Sequence, residues 1–198
     1  MAGKTFKIPK DRIIHFVFDG GGSWASDRIL VDGRKVGFMK REEPSSPKDS
    51  GWRFFAGDSS QEDRVGSCGR SLVDVNVVAN YDADILPLLY EEPGAAFARV
   101  KDGRLLPQGP LPPSPLLRLT GEWSARIPSC FQRRKEKEEQ IFWGLARAVW
   151  ISFRDAEKGE SPAKRLDSIR RKAGPNAVER YEPAHPTLKR FAYLVFEN

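Results

Sequence analysis

A proline-rich segment near the middle of the chain is the feature that most constrains its fold. Residues 107–115 read PQGPLPPSP and contain five prolines. Proline fixes the backbone φ angle and lacks an N–H donor, so this segment cannot form a helix or a central strand. It is expected to run as an extended, semi-rigid spacer. We therefore predict two domains, residues 1–106 and 116–198, joined by a linker at 107–115.

The distribution of charge changes at the same place. Residues 1–108 hold 16 Lys and Arg residues against 16 Asp and Glu residues, whereas residues 109–198 hold 17 against 11. The net charge of +6 therefore lies in the second half. A basic half is typical of a surface that meets nucleic acid, another anionic surface or an acidic protein, although it can also serve solubility alone.

The remaining composition is typical of a cytoplasmic globular protein. No apolar run approaches the roughly 20 residues of a membrane-spanning helix, and the N-terminus lacks the apolar region of a secretory signal. The two cysteines, Cys68 and Cys130, are too few for a disulfide framework and lack the spacing of a zinc site. We expect no cofactor, no metal and no membrane partner.

The first half is predicted to be a mixed domain with a sheet and short helices. Apolar and aromatic runs predict strands at residues 13–18, 35–39, 52–55 and 94–100. Asp74 is a candidate N-cap for a short helix. The predicted fold class is α+β, with two small mixed domains, each a mainly antiparallel sheet with one or two short helices.

The second half is predicted to contain strands and one helix. Residues 118–127 predict a strand around Trp123, and further strands are expected at residues 140–143, 148–153 and 190–197. Ser161 followed by Pro162 predicts the start of a helix over 161–173. The polar face of this helix carries the candidate anion-binding residues Lys164, Arg171 and Lys172.

Two pairs of neighbouring carboxylates are candidates for acid–base chemistry. They are Glu42-Glu43 and Glu91-Glu92. Neighbouring residues of a strand point to opposite faces, so an extended pair does not converge on one point. A solvated role is favoured for Glu91-Glu92 and left open for Glu42-Glu43. A hydrolase would need Glu42, Glu43, Asp58 or His15 to be brought together by folding.

Two neighbouring motifs in the first half resemble a known family. Residues 36–44 read VGFMKREEP, and residues 49–58 read DSGWRFFAGD. Together with the flanking blocks they resemble the bacterial immunity protein 33 family, over about residues 12–106. This sequence departs from the family pattern where Ser45-Ser46-Pro47-Lys48 replaces a more acidic gap. The second half more weakly resembles a companion domain of such modules.

The resemblance implies a cytoplasmic antitoxin in a polymorphic toxin system of bacterial competition. Such a protein binds a cognate toxin and blocks it without catalysis, so we expect no enzymatic activity. The candidate partner-binding residues are Arg41, Glu42, Glu43, Trp52, Arg53 and Asp58. Trp52 and Phe54 are expected to face the core, with Arg53 and Phe55 on the opposite side of the strand. The alternative is a nucleic-acid-associated regulator that uses the basic second domain.

Overall fold

The computed structural model describes most of the first three quarters of the chain. The described residues are 4–57, 69–121, 123–136, 139–145, 147–152, 161, 163–164, 167–168, 171, 177–181 and 192–195. Two compact units are present, Met1–Ile151 and Ser152–Asn198. The segment 107–115 lies within the first unit, and its role as a domain linker stays a prediction.

A six-stranded mixed sheet forms the centre of the first unit. Its strands lie in the order β4-β1-β3-β2-β5-β6, where β1 and β3 run parallel and the other neighbours run antiparallel. The fold class is α+β, as predicted. The strands are β1 (Gly22–Ser26), β2 (Phe38–Arg41), β3 (Asp49–Phe55), β4 (Arg70–Asp74), β5 (Ala96–Arg99) and β6 (Leu105–Pro107).

Short helices cover one face of this sheet. They are α1 (Asp27–Leu30), α2 (Val75–Tyr81) and a 3-10 helix (Ala83–Leu88); another 3-10 turn spans Lys10–Arg12. The predicted cap of α2 is confirmed, because the Asp74 side chain accepts a hydrogen bond from the Asn76 amide. Asp82 then caps the 3-10 helix by accepting from the Asp84 amide.

The sheet has an inner face that packs against these helices and an outer face that points away from them. Trp52 and Phe54 alternate with Arg53 and Phe55 along β3. Trp52 and Phe54 belong to the buried core, together with Val75 and Val78 of α2. The predicted core position of Trp52 and Phe54 is therefore confirmed. The outer-face residues Arg53 and Phe55 are also buried, at 8% and 2% exposure.

The predicted strand at residues 13–18 is wrong. Only Phe18 makes a bridge, to Leu145, and Ile14 and Phe18 are 59% and 76% exposed. The backbone of this segment bonds instead to side chains of α2: Asn76 Oδ1 accepts from the amides of Phe16 and Val17. Because these side chains satisfy the backbone, the apolar run needs no neighbouring strand, and only Val17 enters the core.

The second part of this unit consists of β-hairpins. The strands are β7 (Leu116–Arg118), β8 (Ser124–Arg126), β9 (Gln132–Glu136), β10 (Glu139–Gly144) and β11 (Arg147–Ser152). The pairing of β10 with β11 confirms the hairpin predicted there. The single strand predicted around Trp123 is wrong, because β7 and β8 pair antiparallel and Trp123 lies in their turn, 49% exposed.

In the second unit the described residues comprise one hairpin and parts of the predicted helix. β12 (Ala177–Tyr181) pairs antiparallel with β13 (Ala192–Val195), which lies within the predicted final strand. Residues 163–164, 167–168 and 171 are helical. Ser161 Oγ accepts a hydrogen bond of 3.3 Å from the Lys164 amide, as expected for the cap.

Candidate functional site

Four side chains on the outer face lie side by side across four strands. The strand register pairs Leu72 with Trp24, Trp24 with Arg53, and Arg53 with Lys40. Direct partners on neighbouring strands share a face, so these residues form one lateral row, which we call the outer-face row. Leu72 is 63% exposed and Trp24 is 40% exposed. The row thus presents two large apolar side chains beside the partly exposed Lys40 and the largely buried Arg53.

Arg53 is held in place by two carboxylates. Its Nη1 and Nη2 donate to the two carboxylate oxygens of Asp49, at 2.9 and 2.8 Å, and its Nε donates to Glu42 at 3.0 Å. Lys40 pairs with the other oxygen of Glu42 at 2.7 Å. The four charges cancel locally, and the guanidinium is fixed in one orientation.

The same contacts shift the ionisation of both carboxyls. The hydrogen bond from Arg53 holds the pKa of Asp49 far below its ordinary value, with further help from the Ser45 and Gly51 amides. The hydrogen bond from Lys40 is the main cause of the lowered pKa of Glu42, and the charge of Arg53 adds to it. Both groups are therefore ionised at neutral pH.

A glycine allows this cluster to form. Gly51 has φ +77°, and a Cβ there would lie 2.2 Å from the carbonyl oxygen of Glu42. This close approach lets β3 turn at its beginning, and the Gly51 amide donates to Asp49 Oδ1. Asp49 is thereby directed back onto Arg53, four residues later on the same strand.

Arg41 and Trp52 lie on the opposite, inner face. Arg41 is 9% exposed; its Nε donates to the carbonyl of Ser50 at 3.1 Å and its Nη1 to that of Glu91 at 2.6 Å. Its guanidinium carbon lies 5.9 Å from the ring centroid of Trp52. Every partner of this cation is neutral, because no carboxylate forms an ion pair with it among the described residues.

An open cavity of about 340 Å³ lies against Arg41 and Trp52. Its walls come from residues 18–21, the start of β3 and the segment 130–147, and they include Leu89, Trp143, Leu145 and Arg147. Asp19 and Leu145, with φ of 51° and 54°, are the non-glycine residues in the left-handed region within the described ranges, and both line this cavity. Strained backbone of this kind clusters at functional sites.

Cys130 also lines the cavity but is a poor nucleophile. Burial raises the pKa of its thiol, and the neighbouring Arg41 only partly opposes this. The thiol is therefore protonated at neutral pH, whereas the thiolate is the reactive form.

The six predicted partner-binding residues do not form one surface. Glu42 and Arg53 meet on the outer face, whereas Arg41 and Trp52 lie on the inner face at the cavity. Glu43 is exposed just after β2. Asp58 lies outside the described residues. Sequence reasoning missed Trp24 and Leu72, although the alternation of Trp24 with the buried Ala25 could have indicated an outward-facing tryptophan.

The remaining candidates have different surroundings. The solvated role expected for Glu91-Glu92 is wrong for Glu92, which is 6% exposed and accepts hydrogen bonds from the amide and hydroxyl of Ser129. These bonds fasten the turn before β5 to the segment before β9. Of the anion-binding candidates, Lys164 and Arg171 are exposed, and Lys172 lies outside the described residues.

Metal-ligand groups and membrane-spanning helices are both absent from the described residues. In the part of the chain with described coordinates, no three His, Cys, Asp or Glu residues are grouped as metal ligands would be. The same residues contain no helix that is long and apolar enough to cross a bilayer.

Comparison with known proteins identifies the segment that holds the large sheet. Residues 23–107 match the model of the Immunity protein Imm33 domain. The matched segment begins within β1 and ends with β6, so it spans the six-stranded sheet. The match agrees with the family resemblance seen in the sequence and confirms it for this segment. No curated protein and no solved structure matches the chain significantly.

Proposed function

We propose that this protein binds a cognate bacterial toxin through the outer-face row and neutralises it by occlusion, without catalysis. The observation that carries the proposal is the lateral alignment of exposed Leu72 and Trp24 with the fixed Arg53. The immunity domain supports a toxin as the kind of partner. We place this action in the cytoplasm, as part of a polymorphic toxin system.

The side chains of the row are of the kinds that dominate binding energy. Trp and Arg are enriched among residues whose truncation costs the most at interfaces, and they cluster near the centre. Trp24 presents a large rigid surface, and Arg53 is already oriented by Asp49 and Glu42. A preoriented side chain loses less conformational entropy on binding, which favours affinity.

The size of the required interface brings in neighbouring residues. Silencing a lethal enzyme calls for an affinity of about nanomolar, or about −12 kcal/mol. Interfaces of this class bury about 800 Å² on each partner, which is more than four side chains supply. We therefore assign Glu43 and the loop after β2 to the edge of the same surface, with Asp58 as a further candidate. Charged residues at such an edge set the rate and specificity of association.

The test uses the protein encoded beside this gene as the candidate toxin. The two are co-expressed in a bacterial host, and survival and co-purification are measured for the wild type and for Trp24→Ser/Leu72→Ser. We expect the double variant to lose protection and to bind at least about a hundredfold more weakly, because two central apolar contacts are removed. Circular dichroism and thermal unfolding establish that the variant remains folded.

The chain offers a matched control. Trp123 and Leu116 lie in the β7–β8 hairpin and are 49% and 64% exposed, close to the exposures of Trp24 and Leu72. The variant Trp123→Ser/Leu116→Ser loses a similar amount of exposed apolar surface at another place and should still protect. Full protection by a folded Trp24/Leu72 variant would overturn the assignment of the surface. If neither the wild type nor the control variant binds the toxin, the proposed function is wrong.

A further inference from the structure

We infer that the cavity beside Arg41 is a binding site for a small organic carboxylate, with Arg41 holding the carboxylate group. The inference concerns the inner face and does not depend on the toxin-binding surface. Two observations carry it: a buried cation that forms no ion pair with the described carboxylates, and an open cavity of small-molecule size beside it.

The first observation is the uncompensated charge of Arg41. A buried charge is costly unless an opposite charge accompanies it, and guanidinium groups in protein interiors are normally paired. Arg53, on the same strand pair, has two carboxylates, whereas the contacts of Arg41 are the carbonyls of Ser50 and Glu91, the ring of Trp52 and the neutral thiol of Cys130. The buried Glu92 carboxylate also lies near Cys130, but it bonds to Ser129 and forms no ion pair with Arg41. A bound anion would supply the missing charge through a charge-assisted hydrogen bond.

The second observation is the size and lining of the cavity. Its volume of about 340 Å³ lies in the range of small-ligand sites. One carboxylate side chain from a partner would fill only a fraction of it, so a ligand with an organic body fits better. Leu89, Trp143 and Leu145 provide apolar surface for that body. Polar groups of Arg41, Ser50 and Gln132 lie beside this apolar surface and could orient a ligand.

The charges around the cavity favour a singly charged ligand. Arg147 lies at the wall, and its guanidinium carbon is 4.3 Å from the ring centroid of Tyr90. Asp49, on the opposite side, is already neutralised by Arg53. Asp19 also lines the cavity, so with Asp49 neutralised the lining carries two cations, the buried Arg41 and the exposed Arg147, against the one carboxylate of Asp19. One carboxylate matches this arrangement, whereas a dianionic phosphate would need more donors than these two residues provide.

The walls are also arranged as in a prepared site. Gly20 and Gly21 form one wall, and Asp19 beside them has positive φ, as does Leu145 on the other wall. The amide of Phe18 donates to the carbonyl of Leu145 at 2.8 Å and joins the two strained segments. The cavity is thus held between two backbone segments whose conformations other contacts enforce.

The test compares an aromatic carboxylate with its uncharged amide. Benzoate and benzamide are titrated separately into the full-length protein, and binding is followed by NMR shifts of the Trp52 and Trp143 indole N–H groups. We expect benzoate to bind with a dissociation constant of about a millimolar or better and benzamide to bind at least about tenfold more weakly. Inorganic phosphate is titrated as a third probe and should not compete with benzoate.

Two variants with a control identify the cation. Arg41→Met should weaken benzoate binding at least about tenfold, since the charge-assisted bond is lost. Arg147→Glu keeps Arg41 and its carbonyl bonds, and the charge reversal at the wall should weaken binding at least about threefold. Lys135→Glu is the control, because Lys135 is exposed on β9 and does not line the cavity. Its affinity for benzoate should equal that of the wild type.

Several outcomes would overturn the inference. They are equal affinity for benzoate and benzamide, no benzoate binding by the folded wild type, undiminished binding by folded Arg41→Met, and tighter binding of phosphate than of benzoate. If Arg41→Met fails to fold, the benzoate–benzamide pair and Arg147→Glu decide the matter, because neither comparison disturbs the Arg41 contacts.

Discussion

The fully buried carboxylate of Asp82 lies 2.5 Å from Nη2 of Arg99 on β5. Asp82 Oδ2 also accepts the amide of Val36, just before β2. Arg99 reaches further, to Asp84 at 2.8 Å and to the carbonyl of Gly103. A single buried carboxylate therefore joins the end of α2, the approach to β2 and the β5–β6 hairpin, and it fixes the helix layer against the sheet.

Loss of the Arg99 guanidinium should strongly destabilise the fold. In Arg99→Met the buried Asp82 carboxylate keeps only the exposed Lys35, 3.8 Å away, as a cation, and we expect the free energy of unfolding to fall by about 3 kcal/mol. Arg104→Met is the comparison, because the Arg104–Asp102 pair is largely exposed and its loss should cost much less than the loss of the Asp82 contact. Urea denaturation measures the free energy of unfolding of both variants. Equal decreases in the two variants would show that the Arg99–Asp82 contact does not stabilise the fold more than an exposed ion pair does.

Acid should destabilise the protein through Asp49. Its carboxyl has a lowered pKa in the folded state, so the stabilising contribution is complete above the unfolded value near 3.8. As the pH falls below that value, the Asp49 carboxyl becomes protonated in the unfolded state but stays ionised in the folded state. The free energy of unfolding then declines by up to about 1.4 kcal/mol per pH unit for this one group. Unfolding measured between pH 5 and about pH 2 should show a shallower decline for Asp49→Asn than for wild type. Parallel curves would contradict this assignment.

Local sequence signals predicted much of the fold correctly. The alternation in β3, the Asp74 cap and the β10–β11 hairpin each depend on neighbouring residues, and each is confirmed. The errors arose where contacts with residues distant in sequence determine the local structure. Residues 13–18 have the apolar content of a strand, but Asn76 of α2 takes their backbone hydrogen bonds. No local pattern contains that contact, which spans about 60 residues.

Gly51 should tolerate no side chain. Alanine there would combine a left-handed backbone with a Cβ placed 2.2 Å from the Glu42 carbonyl oxygen, and we expect a loss of about 3 kcal/mol or more in the free energy of unfolding. Gly103→Ala separates the two causes, since Gly103 has φ +90° and open space around it. Its cost should be about 1–2 kcal/mol, from the backbone alone. Thermal unfolding of the two variants gives the difference, and equal costs would remove the steric explanation.

The candidate site was only partly predictable for a similar reason. The family motif indicated Glu42 and Arg53, which meet on one surface because Glu42 directly follows β2 and Arg53 lies on the neighbouring β3. Trp24 and Leu72 join that surface through the strand order β4-β1-β3-β2, in which β3 pairs in parallel with β1. The cavity likewise combines residues 18–21 with the segment 130–147. Such groupings follow from the topology of the sheet, which cannot be inferred from the local patterns of one sequence.

Asn76 should control the attachment of residues 13–18. Its Oδ1 accepts from the amides of Phe16 and Val17 at 2.8 and 2.9 Å, and its Nδ2 donates to the Val17 carbonyl at 2.9 Å. In Asn76→Ala these groups lose their partners, with a cost of about 1–3 kcal/mol. Hydrogen exchange followed by NMR should show the Phe16 and Val17 amides losing protection.

Asn80→Ala is the matched variant, because Asn80 lies one turn after Asn76 in α2 and bonds to the same segment. Asn80 bonds the amide and carbonyl of Ile14, so only the Ile14 amide should exchange faster in that variant. If Phe16 and Val17 stay protected in Asn76→Ala, a contact other than Asn76 holds the segment.

Since Phe18 and Asp19 continue into the cavity wall, a released segment should also weaken benzoate binding in Asn76→Ala but not in Asn80→Ala.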